Sequence, residues 1–166
     1  MKQFIKCQQF YQDIDQLQSL IYSLEFEDHP LGKEILGFYY IPEGLQDFLK
    51  QVVQEDIEIQ PDTGTFRKPS DLIHVDNFYQ HALWTCVVAL EDTKVNICAH
   101  KDGTTFFDVK DNPDFFKECT MLENWTIDAS IALKKNEFVL IRPWLWKSLE
   151  QDKMVQTFLL NTNLGQ

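Results

Sequence analysis

The chain has 166 residues, and its 15 Lys and Arg residues against 26 Asp and Glu residues leave a formal net charge of −11. This acidic balance disfavours nonspecific binding to nucleic acid or to an anionic membrane surface, because phosphate contacts need clustered cations. No apolar run approaches the roughly 20 residues that span a bilayer. No continuous apolar stretch follows the first basic residues either, so we expect no secretory signal and a cytoplasmic location.

Helical spacing marks the N-terminal third of the chain. A first set of apolar residues recurs at steps of three and four, which predicts a helix over 9–25. Its members are Phe10, Ile14, Leu17, Ile21 and Leu24. Residues 35–41 read as a short strand, and a second helical pattern covers 43–54. We therefore expect residues 1–54 to form a helical layer.

The apolar period changes from helical to two near residue 55, which favours strands from there onward. The predicted strands cover 71–78, 83–90, 94–100, 104–109, 125–133, 137–142 and 153–161. One short helix interrupts them, with Asn112 as its cap and Pro113 at its first position. Many short strands separated by turn residues indicate a sandwich or jelly roll.

These patterns together predict one domain over 1–166. Its fold class is mainly β with flanking helices (α+β), with a jelly-roll core over 55–166 and the N-terminal helices packed outside it. The four cysteines are Cys7, Cys86, Cys98 and Cys119. None of them forms a Cys-x-x-Cys pair, so we expect core thiols and no zinc ribbon or dithiol motif.

The pattern His74-x-Asp76 is the first candidate for chemistry. Side chains two apart on a strand project from one face, so an imidazole and a carboxylate would stand together. They would supply two of the three ligands in the two-His, one-carboxylate triad of a non-haem Fe(II) site. Alone, the pattern is weak evidence for a metal site, because it arises more often from a half-buried His beside a surface Asp at a strand end.

The segments that follow make the pattern more specific. A turn and a strand begin at Lys101-Asp102-Gly103, and a further turn and strand run from Asn136 to Pro143 before an aromatic corner. This order, over about 66–161, resembles the double-stranded β-helix (cupin-like jelly roll) of Fe(II)/2-oxoglutarate-dependent oxygenases. It is most similar to small phage-encoded members, which would place the chain in the host cytoplasm or in the virion.

The resemblance implies a distal metal-binding His and an arginine that holds the 2-oxoglutarate carboxylate. Lys147 stands where the distal His would fall, and residues 154–157 contain no cation. We therefore expect a degenerate metal site in which Lys147 forms an ion pair with Asp76. An alternative ligand set is His74, Asp76 and His100, against the simpler interpretation that His100 is a solvated strand-end residue.

Other residues could serve a ligand. Trp84, Trp144 and Trp146 with Arg142 are candidates for lining a pocket, although aromatic residues at a strand corner are usually core. Arg142 or Arg67 would be the carboxylate clamp if 2-oxoglutarate binds. His81 is assigned to a loop.

The missing His and Arg favour a non-catalytic jelly-roll module for binding or assembly. Such a module would need no cofactor and would act through a protein partner or self-association. One alternative is an active dioxygenase (hydroxylase) that uses Fe(II) and 2-oxoglutarate with an unconventional ligand set. A second alternative is a cupin-like binder of a small molecule or sugar. These hypotheses leave open whether the chain is an enzyme.

Overall fold

The computed structural model describes residues 3–35, 38–76 and 82–162. Antiparallel strands dominate this part of the chain. The strands are β1 (Phe4–Cys7), β2 (Glu27–His29), β3 (Gly32–Glu34), β4 (Ile57–Ile59), β5 (Thr65–Pro69), β6 (Ala82–Ala89), β7 (Thr93–His100), β8 (Trp125–Leu133), β9 (Phe138–Ile141), β10 (Lys147–Leu149) and β11 (Val155–Thr162). The helices are α1 (Ile14–Tyr22), α2 (Leu45–Val53), α3 (Phe106–Val109) and two 3₁₀ helices, Pro113–Thr120 and Leu122–Asn124.

The strands form two sheets. The larger has the order β1-β9-β6-β11-β5-β3-β2, with β4 also paired to β11, and the smaller has the order β10-β7-β8. One isolated bridge, between His74 and Lys147, adds a further chain segment to the free edge of β10. The mainly β jelly-roll fold predicted from the sequence is confirmed.

One apolar core lies between the two sheets. Alternate residues of β6, β9 and β11 meet alternate residues of β7, β8 and β10, as a period of two requires. The members are Val87, Ala89, Val95, Ile97, Ile131, Leu133, Val139, Ile141, Leu149 and Val155.

The opposite face of the larger sheet is covered by α1 and α2. Ile21 and Leu49, both fully buried, pack in one cluster with Cys86, Val88 and other residues of that face. The N-terminal helices therefore pack outside the jelly roll, as the apolar stripes predicted. In the part of the chain that the structure describes, no helix is long and apolar enough to cross a membrane.

Local capping explains why α1 is shorter than the predicted range 9–25. The Asp13 carboxylate accepts from the backbone N–H of Gln16 at 3.2 Å and begins the helix. Ser23 ends it, with its hydroxyl donating to the carbonyl of Leu20 at 2.6 Å. Phe10 precedes the helix and packs edge-on against Phe138, so its place in the helical stripe does not make it helical.

Three strand predictions are corrected by the structure. Residues 104–109 contain α3, because Thr105 and Asp108 form a capping box in which each side chain accepts from the other's backbone N–H. The described part of 35–41 contains no strand, and residues 36–37 lie outside the described residues.

The predicted strand 71–78 is reduced to the single bridge at His74. Residues 77–78 of that range, and His81, lie outside the described residues. Four short strands lie outside the predicted strand ranges, namely β1, β4, β5 and β10, and so does the hairpin formed by β2 and β3. Their apolar content is too low or their length too short for a periodicity to stand out.

Candidate functional site

The His74–Asp76 segment is held to the corner of the jelly roll by backbone hydrogen bonds. The N–H of His74 donates to the carbonyl of Lys147, and the N–H of Lys147 donates to the carbonyl of His74, both at 2.9 Å. The N–H of Asp76 donates to the carbonyl of Pro143 at 3.0 Å. Ile73 and Val75, which flank His74 in the chain, are buried in a separate apolar cluster. The alternation therefore directs His74 and Asp76 away from that cluster.

A buried ion pair lies at the centre of the site. Lys147 Nζ is 3.0 Å from Asp76 Oδ2 and donates to the carbonyl of Pro143 at 3.2 Å. Lys147 is fully buried. His74 Nε2 is 3.6 Å from Asp76 Oδ1, and His74 Nδ1 lies 2.9 Å from the carbonyl oxygen of Leu72. The ion pair between Lys147 and Asp76 that the sequence predicted is present.

The surroundings shift the pKa of both titratable partners of Lys147. Burial alone would raise the pKa of Asp76, but the Lys147 ammonium and then His74 hold it well below its ordinary value. Burial lowers the pKa of His74, and Lys147 lowers it further against the opposing effect of Asp76. At neutral pH Asp76 is therefore a carboxylate and His74 a neutral imidazole, and both lie beside the buried Lys147 side chain.

A cavity of about 300 Å³ borders Asp76. Three threonines from three neighbouring strands line it. A second pair of oppositely charged residues, an arginine and a glutamate, and the ring of a tyrosine also border it. These residues are Thr65, Thr85, Thr157, Arg67, Glu34 and Tyr39. Because β5, β11 and β6 lie side by side in the larger sheet, their inward-facing polar residues meet at one place.

His100 lies in a different polar cluster from His74. Its Nδ1 is 2.6 Å from Asp102 Oδ1 and its Nε2 is 3.1 Å from Glu118 Oε2. Burial opposes protonation of His100, but the hydrogen bonds to Glu118 and Asp102 raise its pKa overall. The pKa of Asp102 is lowered to about 2, first by the Thr104 hydroxyl and backbone N–H and then by His100. His100 thus ties the end of β7 to the first 3₁₀ helix and does not join His74 and Asp76.

The four predicted pocket residues divide between two places. Trp144 and Trp146 line a second cavity of about 310 Å³, which shares no lining residue with the cavity beside Asp76. Trp84 is almost fully buried in the core beneath the helices. The Arg142 guanidinium lies 3.7 Å above the Trp84 ring and donates to the carbonyl of Leu83 at 3.2 Å. Trp84 and Arg142 are therefore packed against each other in the interior.

Known crystal structures share the fold of this chain. No family model and no curated protein sequence matches the chain. The crystal structure of HygX from Streptomyces hygroscopicus with nickel, 2-oxoglutarate and hygromycin B bound does resemble it. Its TM-score is 0.59 at 9% sequence identity, over 98% of this chain and 84% of that chain. HygX with nickel and 2-oxoglutarate gives a TM-score of 0.57 at 8% identity over the same shares. The fold is that of an oxygenase-like jelly roll.

The residues present do not fit the metal that this fold implies. A non-haem Fe(II) site takes two His side chains and one carboxylate, and here the side chain that lies beside His74 and Asp76 is that of Lys147, which as an ammonium has no lone pair to donate. Among the described residues, no group of three or more His, Cys, Asp or Glu side chains is arranged to hold a metal ion. The alternative set of His74, Asp76 and His100 is not assembled, because His100 faces Asp102 and Glu118.

Sequence reasoning missed the threonines of the cavity. Thr85 and Thr157 stand within strands that were otherwise recognised as apolar. Each is a polar residue within an apolar strand. Because buried polar side chains need a hydrogen-bond partner, such a residue indicates a polar site in the interior. Thr65 belongs to β5, which was not predicted.

Proposed function

We propose that this chain is a non-catalytic binding module built on the oxygenase-like jelly roll. In this proposal the Lys147 ammonium supplies the positive charge that a metal ion would supply beside Asp76. The chain then acts through a bound molecule or a protein partner and not through turnover. The ion pair between Lys147 and Asp76 is the observation that carries the proposal.

The position of Lys147 supports this interpretation. The bridge between His74 and Lys147 brings the lysine side chain to the same small space as His74 and Asp76, and its Nζ contacts the carboxylate at 3.0 Å. A divalent ion in that space would meet the ammonium at close range. It could use Lys147 as a ligand only after the lysine had lost its proton, because an ammonium has no lone pair to donate.

The charges around the cavity also argue against 2-oxoglutarate as its occupant. Its carboxylate clamp would be Arg67, but Arg67 Nε lies 3.8 Å from Glu34 Oε2, and Asp76 borders the same cavity. A dianion would therefore approach three carboxylates, those of Glu34, Asp62 and Asp76, while the guanidinium of Arg67 already lies beside Glu34. We expect no thermal stabilisation by 2-oxoglutarate.

Metal titration tests the proposal. Wild-type protein, Lys147→His and the control Lys153→His are titrated anaerobically with Fe(II) and, in parallel, with Mn(II) followed by electron paramagnetic resonance. The Lys153 side chain is 44% exposed and its Nζ lies 3.9 Å from Glu91 Oε1, so its replacement changes charge without reaching the site. We expect no tight binding by the wild type or by Lys153→His, and a gain of Mn(II) and Fe(II) affinity in Lys147→His, which completes the triad.

Two results would contradict the proposal. Tight binding of one equivalent of Fe(II) by the wild type would show that the lysine does not replace the metal. A folded Lys147→His protein that gains no metal affinity would show that Lys147 does not stand at a ligand position. A melting experiment with millimolar 2-oxoglutarate and Mn(II) tests the dioxygenase alternative, since a ligand at about 100 times its Kd stabilises by about 2.7 kcal/mol.

A further inference from the structure

We infer that the cavity beside Asp76 binds a small uncharged ligand rich in hydroxyl groups, a polyol or a monosaccharide. This inference rests on the proposed function, because it treats the cavity as a binding site in its own right. Its volume of about 300 Å³ stands at the lower end of the range for small-molecule sites, which is roughly 300 to 1,000 Å³.

The first argument is an unpartnered hydroxyl. Thr85 lines the cavity and is only 4% exposed, yet its Oγ1 has no hydrogen-bond partner among the described residues. A buried hydroxyl without a partner is costly, and such a group in a native protein needs an explanation. Thr65 and Thr157, whose hydroxyl oxygens are 3.3 Å apart, line the same cavity.

The second argument is an unpartnered nitrogen. Arg67 Nε is buried and has no hydrogen-bond partner among the described residues, since Glu34 Oε2 at 3.8 Å is too far away. Arg67 and Thr85 therefore offer an N–H donor and a hydroxyl to one cavity. Oxygen atoms of a ligand would satisfy both.

The balance of charge selects the class of ligand. Each cation beside the cavity has a carboxylate close to it, Lys147 with Asp76 and Arg67 with Glu34. Asp62 also borders the cavity. An anion would meet unfavourable carboxylates, and a cation would compete with Lys147 and Arg67. Hydroxyl groups suit such paired charges, because each can donate to a carboxylate and accept from Arg67 or Thr85.

An aromatic side chain and apolar surface complete the lining. Tyr39 borders the cavity with half of its surface exposed, and Leu31 and Phe158 contribute apolar wall. Monosaccharides and cyclic polyols present C–H faces between their hydroxyl groups. A cavity that combines apolar wall with a few placed polar groups matches that alternation.

The test is binding of named probes to wild-type protein and to a matched pair of variants. D-glucose, D-xylose and myo-inositol are the uncharged probes, and succinate and putrescine are charged comparators of small size. Each is measured by saturation-transfer NMR and calorimetry in buffer containing EDTA. The variants are Thr85→Val and Thr162→Val. Both remove a buried hydroxyl for which the described part of the chain offers no hydrogen-bond partner, but Thr162 does not line the cavity.

We expect at least one uncharged probe to bind the wild type and Thr162→Val alike. Thr85→Val should bind it about three- to tenfold more weakly, the loss of one hydrogen bond. Both variants should fold, because each exchanges an unsatisfied hydroxyl for a methyl group of similar size. Their melting curves check this.

Three results would overturn the inference: no binding of any uncharged probe, tighter binding of succinate or putrescine, or equal binding by Thr85→Val and Thr162→Val. None of these results would contradict the proposed function, because that proposal is tested by whether the wild type binds a metal ion. EDTA separates the two, because probe binding that requires a metal would disappear in its presence.

Discussion

Lys147→Met removes the ammonium of the central ion pair while keeping an unbranched side chain of similar length. Lys147 is fully buried, and the Asp76 side chain is only 18% exposed, so the carboxylate left behind would be mostly buried and unpaired. Breaking a buried ion pair from one side costs about 3–5 kcal/mol, because the remaining charge loses its compensation. We expect a loss of stability in that range at neutral pH.

Urea denaturation and thermal melting measure this loss. For a domain of this size a change of 1 kcal/mol moves the Tm by roughly 2–4 °C, so the Tm should fall by about 6–20 °C. Asp76→Asn in the Lys147→Met background removes the unpaired charge and should recover part of the loss, which a double-mutant cycle quantifies. Lys153→Met, at an exposed position, should change stability by no more than about 0.5 kcal/mol.

The pH dependence gives an independent check on the same reasoning. The pKa of Asp76 is lower in the folded protein than in the unfolded chain. Its contribution to stability is therefore present above the unfolded value of about 3.9 and is lost as the pH falls toward the folded value. In Lys147→Met this contribution is missing, so the difference from wild type should be largest at neutral pH and shrink in acid. A loss below about 1 kcal/mol at neutral pH, or a difference that does not change with pH, would refute the argument.

Three further predictions concern groups outside the cavity beside Asp76. Glu118→Gln should lower the pKa of His100, read from its imidazole resonances by NMR, because the carboxylate hydrogen bond raises that pKa. Because the pKa of His100 is higher in the folded protein than in the unfolded chain, protonated His100 stabilises the fold below its unfolded pKa of about 6.5. This stabilisation is lost as the pH rises through the folded pKa. Wild type should therefore be more stable than His100→Gln in acid and lose that difference in stability at alkaline pH. The three buried thiols should react with a disulfide reagent only after unfolding, because burial raises the pKa of each, that of Cys119 to about 11. Rapid modification of Cys86, Cys98 or Cys119 in the native protein at neutral pH would contradict this, whereas modification of the half-buried Cys7 would not.

Most of the jelly roll could be predicted from apolar periodicity, and the reason is visible in particular strands. In β6 the residues Cys86 and Val88 face the helices while Val87 and Ala89 face the other sheet. A strand buried on both faces is a continuous apolar run, and such runs are easy to recognise. Periodicity failed at residues 104–109, where the aromatic and threonine content favours a strand. The capping box between Thr105 and Asp108 decided the structure there.

The candidate site was predicted in one respect and missed in another. The resemblance to Fe(II)/2-oxoglutarate-dependent oxygenases was enough to expect Lys147 near Asp76, because it places Lys147 where the distal metal-binding His would fall, and the two side chains do form an ion pair. The structure alone brought Arg67, Thr85 and Thr157 to the same cavity.

The sequence by itself determined which residues are apolar, where the period changes and which chemistry the His74-x-Asp76 segment can support. Only the tertiary structure decided the neighbours, since the period of a strand specifies the face of each side chain and not the strand beside it. The register of β11 places Val155 opposite Arg67 on one side and opposite Ala89 on the other. That pairing depends on hydrogen bonds between segments far apart in the chain. Because this pairing of distant segments forms the cavity, its unpartnered polar atoms and its paired charges could not be predicted from the sequence.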